Sequence, residues 1–312
     1  MNTQQSFPQY IEQGQTPFFR LPTSAPDAAE ERPDCVLLGV TYDGGTTYMP
    51  GARLAPYHVR RVSALVQSYH PAHGVDVFSE LRAVDGGNIM VPPFNAGAMR
   101  EMVQQRVAAV LGSGAVPVLV GGDHSITLPA LRAVAAEHGP LAIVHVDAHF
   151  DTSDGELWGE AYHHGTPIRH ALLEGLVADR QLYQIGLRGP WRDAYEADLV
   201  QERGGHRYSA DRVERVGVAS IMSEIRAGIG DRPTYLSFDI DAVDPAFAPG
   251  TGTPVPGGLT SREALRLVRA TAGLNLVGMD LVEVAPAMDH ADLTSMLAAH
   301  LVYEGLAALA CR

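Results

Sequence analysis

The sequence predicts an α/β protein: a three-layer αβα arrangement around one doubly wound, mostly parallel sheet of about eight strands. Short Val/Leu/Ile-rich runs alternate with longer helical patterns almost from end to end. Most of these runs lack polar alternation, as parallel strands covered on both faces do. The 312-residue chain is 46% apolar and 19% charged, which suits a compact fold with a full core.

Taken in order, Met1–Pro33 reads as a proline-containing surface arm, and residues 34–312 read as a single domain without linker, repeat or low-complexity tract. Strands are expected at Cys35–Val40, Arg82–Val84, Pro117–Val120, Leu141–Val146, Gln181–Ile185, His206–Tyr208, Thr234–Phe238 and Leu276–Leu281. Helices are expected at Tyr57–Tyr69, Ala98–Leu111, Thr127–Glu137, Val213–Ala227, Ser261–Ala272 and Leu293–Leu309. The sixth strand and the stretches Ile168–Leu176 and Arg192–Arg203 carry less pattern. Thr260 with Glu263 reads as a capping box, and Gly273 as the stop of the helix it opens.

Composition narrows the function. The 23 basic residues face 36 acidic ones, a net charge of −13, which leaves no electrostatic footprint for nucleic acid or an anionic membrane. All of the basic residues are Arg, so Schiff-base chemistry, a P-loop lysine and a lysine general base are excluded. Cys35 and Cys311 are the only cysteines, too few for a disulfide framework or a cysteine zinc site. The polar start carries no targeting pattern, and runs such as CVLLGV fall far short of the ~20 residues that cross a membrane. A cytoplasmic protein is expected.

Ligands of doubly wound sheets bind beyond the carboxyl ends of the strands. Three strands here run straight into acidic, histidine-bearing loops: Gly121-Gly122-Asp123-His124-Ser125, Asp147-Ala148-His149-Phe150-Asp151, and Asp239-Ile240-Asp241. Alone, an Asp-His pair after a Gly-Gly turn is more often a cap, and an Asp-x-Asp a solvated turn. Asp-x-His-x-Asp leaving a buried strand is different, because burying three such groups without a cation is expensive. Together the loops offer His124, Asp147, His149, Asp151, Asp239 and Asp241. Four carboxylates balance two divalent cations, and the sulfur-free donor set favours a harder metal such as Mn2+. Two close metals can activate a bridging water.

GGDHS, DAHFD and SFDIDAVDP, in this order and spacing, resemble the three metal signatures of the ureohydrolase (arginase/agmatinase) family. The similarity runs from YDGGTTYMPGAR to GMDLVEVAP, nearly the whole chain. The resemblance implies hydrolysis of a guanidino compound to urea and an amine over two Mn2+ ions per subunit, with Ni2+ or Co2+ as alternatives. It also implies a homo-trimer or homo-hexamer. His164, in YHHGTP, resembles the histidine that shuttles protons near the metals. Glu283, in MDLVEV, resembles the glutamate that binds the substrate guanidinium. The neighbouring His163 is expected to bear on substrate binding rather than turnover.

Within the family, Asp151-Thr152-Ser153-Asp154-Gly155 lacks the Asn with which arginases grip the amino-acid end of arginine. The stretch DPAFAPGTGTPVPGGLTSRE instead resembles agmatinases, guanidinobutyrases, guanidinopropionases and proclavaminate amidinohydrolase. Met49 and Leu54-Ala55 depart from the usual Arg and Phe-Gly. If Met49 faces the substrate tail, the wall there is apolar, which favours agmatine (yielding putrescine) over ω-guanidino acids, unless Arg188 or Arg192 reaches the tail. Two other classes compete: a catalytically inactive metal-binding subunit or scaffold of the same fold, and a binuclear hydrolase of another bond.

Overall fold

The computed structural model describes residues 17–23 and 32–312 apart from Asp193. Its strands are β1 (Cys35–Val40), β2 (Tyr69–His70), β3 (Val75–Asp76), β4 (Ala83–Ile89), β5 (Val116–Val120), β6 (Leu141–Val146), β7 (Val177–Leu187), β8 (His206–Ser209), β9 (Thr234–Asp239) and β10 (Leu276–Val282). Eight of them form one sheet in the order β4-β1-β5-β10-β9-β6-β7-β8. Every pairing in that sheet is parallel, as the apolar runs predict. β2 and β3 form a small antiparallel hairpin that the sequence reading did not anticipate.

Alternate residues of the strands feed two cores. On one face Leu37, Val118, Val144 and Leu236 pack with the helices Ala55–Ser63, Ser261–Arg269 and Leu293–Ala310. On the other, Val36, Leu119, Ile143 and Tyr235 pack with Ala96–Gly112 and Thr127–His138. The three-layer expectation therefore holds. Leu293–Ala310 is long and apolar enough to cross a membrane by composition, with mean hydropathy 1.3, yet 78% of it lies inside the fold. It is a core helix.

The expected helix Tyr57–Tyr69 runs instead from Ala55 to Ser63. Arg20, from the N-terminal segment, places its guanidinium on the carbonyls of Ala64 and Val66, so the last turn is satisfied from outside and the chain leaves into the β2–β3 hairpin. The expected helix Val213–Ala227 is two helices, Ala210–Val216 and Val218–Ile229. Gly217, at φ +81°, breaks it by adopting the left-handed region that glycine enters freely. The Thr260–Glu263 capping box is present, but its helix ends at Arg269, and Gly273 lies in the turn beyond. Of the expected surface arm, residues 1–16 and 24–31 lie outside the described residues. Pro17–Thr23 is packed rather than loose: Phe18 and Phe19 are fully buried, and their N–H groups donate to Asp85 Oδ2 (2.8 Å) and Ser63 Oγ (2.9 Å).

Candidate active site

β5, β10, β9 and β6 are neighbours in the sheet. Loops remote in sequence thus open side by side: His124 after β5, Glu283 after β10, Asp239 and Asp241 at the end of β9, and Asp147, His149 and Asp151 after β6.

The Asp-x-His and Asp-x-Asp spacings have a local cause. Asp147 Oδ1 accepts the His149 N–H (2.6 Å), and Asp239 Oδ1 accepts the Asp241 N–H (2.8 Å). Each aspartate closes a turn on the residue two ahead with one oxygen and turns the other toward the cluster. His124 Nδ1 lies 3.1 Å from Asp147 Oδ2, 2.8 Å from Asp151 Oδ2 and 3.2 Å from Asp239 Oδ2. His149 Nδ1 lies 3.0 Å from Asp241 Oδ2 and 3.4 Å from Asp147 Oδ1. The six residues singled out in the sequence therefore converge. Asp123, between Gly122 and His124, does not join them. It accepts the N–H groups of Gly45 (2.7 Å) and Ser125 (3.0 Å), as a cap does. Burial, with Glu283 nearby, pushes its carboxyl up to about 6.

A layer of residues that the sequence reading missed sets the protonation of the cluster. Ser237 Oγ donates to Asp280 Oδ1 (2.7 Å), leaving its lone pair for the Nε2–H of His124 (2.8 Å). Asp280 is held further by Tyr235 and Thr127 hydroxyls, both at 2.8 Å. With its proton committed to Ser237, His124 points Nδ1 at carboxylates. Nδ1, Asp147 Oδ2 and Asp151 Oδ2 are buried without a hydrogen-bond partner among the described residues.

Charges tell the same story. Burial, then the Asp241 and Asp147 charges, push Asp239 well above the usual carboxylate range, and burial raises Asp241 as well. Burial opposes cationic His124 and His149, but Asp151 at the first and Asp241 at the second outweigh it and lift both rings well above their ordinary value. This is a cluster short of positive charge. Two donor sets, His124–His145–Asp147–Asp151 and Asp147–His149–Asp241, each with ligand atoms within 4.8 Å of one another, share Asp147. Nitrogen and oxygen donors without sulfur fit hard divalent cations.

A cavity of about 250 Å3 opens above the cluster. His164 forms one wall. Its Nδ1 lies 2.9 Å from Glu283 Oε1, and its Nε2 faces Thr47 Oγ1 (2.8 Å) and the Thr47 N–H (3.2 Å). Burial disfavours the charged ring, but Glu283, with Asp123 and Asp151, lifts it to about 9. Glu283 stands behind His164 rather than on the lining, also accepts the His124 N–H (2.8 Å), and holds a left-handed backbone at φ +64°, a strained conformation of the kind that collects at functional sites. His163 lines the cavity, and Trp158, Arg192 and Glu196 edge it. Met49 is not among the described lining residues. Arg188 is spent on backbone carbonyls, among them Asp241 O (2.7 Å) and Val255 O (2.6 Å).

Comparison with known proteins agrees with this geometry. Residues 33–307 match the Arginase family. The chain is 44% identical to proclavaminate amidinohydrolase of Streptomyces clavuligerus over 291 residues, 92% of each chain. It is 42% identical to the mitochondrial agmatinase of Gallus gallus, covering 88% of this chain and 81% of that one. A solved structure of the Streptomyces clavuligerus amidinohydrolase superposes with a TM-score of 0.89 at 42% identity, covering 95% of this chain and 97% of that one. With the fold, the rim of the sheet and the sequence in agreement, the chain belongs to the arginase family.

Proposed function

We propose that residues 34–312 form one catalytic domain that hydrolyses a guanidino compound to urea and an amine. The observation that carries this reading is the convergence of six nitrogen and oxygen donors in which His124 Nδ1, Asp147 Oδ2 and Asp151 Oδ2 are buried, crowded together with Nδ1 3.1 and 2.8 Å from the two oxygens, and without a hydrogen-bond partner among the described residues. His124, Asp147, His149, Asp151, Asp239 and Asp241 would hold two Mn2+ ions. When bound, such a pair supplies Lewis acidity and an activated water at neutral pH.

The chain's own groups do the rest. The guanidinium carbon is a poor electrophile because its charge is spread over three nitrogens, so placement matters. By the resemblance Glu283 is the carboxylate for the planar cation, which must reach it past His164. Its charge also raises the pKa of the neighbouring His164, so Nε2, which accepts the Thr47 N–H, can take up a proton and pass it to the departing amine. The buried walls limit water, which strengthens each of these interactions.

Agmatine, the substrate expected from sequence, depended on Met49 facing the tail; since Met49 is off the described lining, that argument weakens and the tail is argued separately below. The homo-trimer or homo-hexamer rests on the resemblance alone, and light scattering on purified protein tests it. The function itself is tested by Mn2+ reconstitution and urea detection with agmatine, 4-guanidinobutyrate, 3-guanidinopropionate and arginine. Urea from at least one supports the reading. Two bound metals with no urea from any would favour the inactive scaffold.

A further inference from the structure

We propose that the substrate tail carries a carboxylate and that His163 recognises it, so the chain acts on ω-guanidino acids in preference to agmatine; this rests on the guanidino-hydrolase reading above.

His163 is buried, at 5% exposure, and lines the cavity. Its Nδ1 accepts the N–H of Gly165 (3.1 Å). A backbone N–H can only donate, so Nδ1 holds a lone pair and the neutral ring carries its proton on Nε2. Burial, with His164 beside it, keeps the ring below its ordinary pKa and therefore neutral. Nε2 is buried and has no hydrogen-bond partner among the described residues. The backbone that carries the ring is also held: the His163 main-chain N–H donates to Thr166 Oγ1 (3.2 Å), which donates back to the His163 carbonyl (2.9 Å).

A rigid, buried donor without an acceptor costs stability, and its natural complement is a ligand acceptor. A carboxylate, with two acceptor oxygens, fits. An ammonium, which only donates, cannot pair with it. Arg192 edges the same cavity, its guanidinium 3.2 Å from Asp154 Oδ2, and is a second group that a carboxylate can engage. Glu196, also at the mouth, pulls the other way. It is partly exposed, so water screens its charge, whereas the His163 donor acts in a dry, low-dielectric wall. The cavity of about 250 Å3 is smaller than the sites of drug-sized ligands, which suits a tail of a few methylenes.

The experiment compares kcat/KM for 4-guanidinobutyrate, 3-guanidinopropionate and agmatine in the Mn2+-reconstituted wild type and in His163→Phe, His163→Gln and Arg192→Gln, with metal content and Tm confirming each fold. A site built to hydrogen-bond a group rejects the analogue lacking it strongly, so the wild type should prefer one of the acids by about 100-fold or more. His163→Phe should raise KM for that acid about 10–100-fold with kcat little changed. His163→Gln, which keeps an N–H donor, should recover part of the loss. A wild-type preference for agmatine overturns the proposal, as does an acid-to-agmatine ratio unchanged in His163→Phe. Should His163→Phe fail to fold, the wild-type ratio and His163→Gln decide. Urea from none of the compounds overturns the guanidino reading itself, a result distinct from a preference for agmatine.

Discussion

Replacing Glu283 with Gln keeps the side-chain shape and removes the charge that governs His164. Burial alone would depress the His164 ring; Glu283, 2.9 Å away, reverses this and the ring reaches about 9. The folded value lies above the ordinary imidazole value of 6.5. The resulting stability is therefore fully present below about pH 6.5 and is lost as pH rises through about 9. That gap corresponds to roughly 3 kcal/mol, at about 1.4 kcal/mol per pH unit. Asp123 and Asp151 share in the lift, so Glu283→Gln should remove somewhat less, about 1–3 kcal/mol. The assay is urea unfolding of chelator-treated wild type and variant at pH 6 and pH 9.5. His124 and His149 are also raised, but they contribute to both proteins and largely cancel in the difference. NMR titration of the His164 ring gives the direct check, and it should titrate clearly below about 9 in the variant, with Asp123 and Asp151 still holding part of the lift. An unchanged pH dependence, or a variant ring still titrating near 9, would refute the coupling.

Three further perturbations test the site. Asp239→Asn should lower metal content by elemental analysis and abolish urea release, yet leave the chelator-treated protein as stable as wild type or more so, because burial and like charges already oppose ionised Asp239. His164→Ala should depress kcat by about 100-fold or more with both metals retained, whereas His163→Ala should act mainly on KM; the reverse order would show that the roles are misplaced by one residue. Ser237→Ala leaves the His124 Nε2–H without its partner and should cost about 1–3 kcal/mol in unfolding free energy. It should also weaken metal binding about 10–100-fold by chelator competition.

The parts of the fold legible in the sequence are those with local causes. β1 and β6 match their expected bounds residue for residue, because a predominantly apolar run without polar alternation marks a strand buried on both faces. The six converging donors were legible for a similar reason: Asp-x-His and Asp-x-Asp are local turns that place a free oxygen just beyond a strand. Where the sequence reading failed, the cause lay elsewhere in the chain. The helix that ends at Ser63 is capped by Arg20, more than forty positions away, and its own periodicity carries no sign of this. Arg192 and Met49 could not be ranked as tail contacts until strand order and loop path were known. The orphaned Nε2 of His163 follows from a hydrogen bond to Gly165 that no spacing rule encodes.

The row beneath the donor cluster was closer to legible than these. In the sheet register Asp280 pairs with Ser237, Ser237 with His145, and His145 with Gln184. All four are fully buried. Side chains two apart on a strand share a face, so Ser237 and His145 lie directly under Asp239 and Asp147, and a polar residue two positions before a candidate ligand is the signal. The direction of each hydrogen bond needed the structure. Gln184 donates from the same nitrogen to Phe150 O (2.8 Å) and to His145 Nδ1 (3.0 Å). The carbonyl of Phe150 fixes the amide's orientation, so His145 Nδ1 must accept and Nε2 carries the proton. His145 Nε2, 3.0 Å from Asp147 Oδ2, therefore offers an N–H rather than a lone pair, although its position alone would group it with the metal ligands. One level above, the same logic runs in the opposite sense. Asp280 takes the Ser237 proton, Ser237 takes that of His124 Nε2, and His124 is left with Nδ1 directed at the carboxylates. Two buried histidines with rings 5.2 Å apart are thus given opposite polarity by their outer partners: His124 turns a lone pair toward the carboxylates, and His145 turns an N–H toward Asp147.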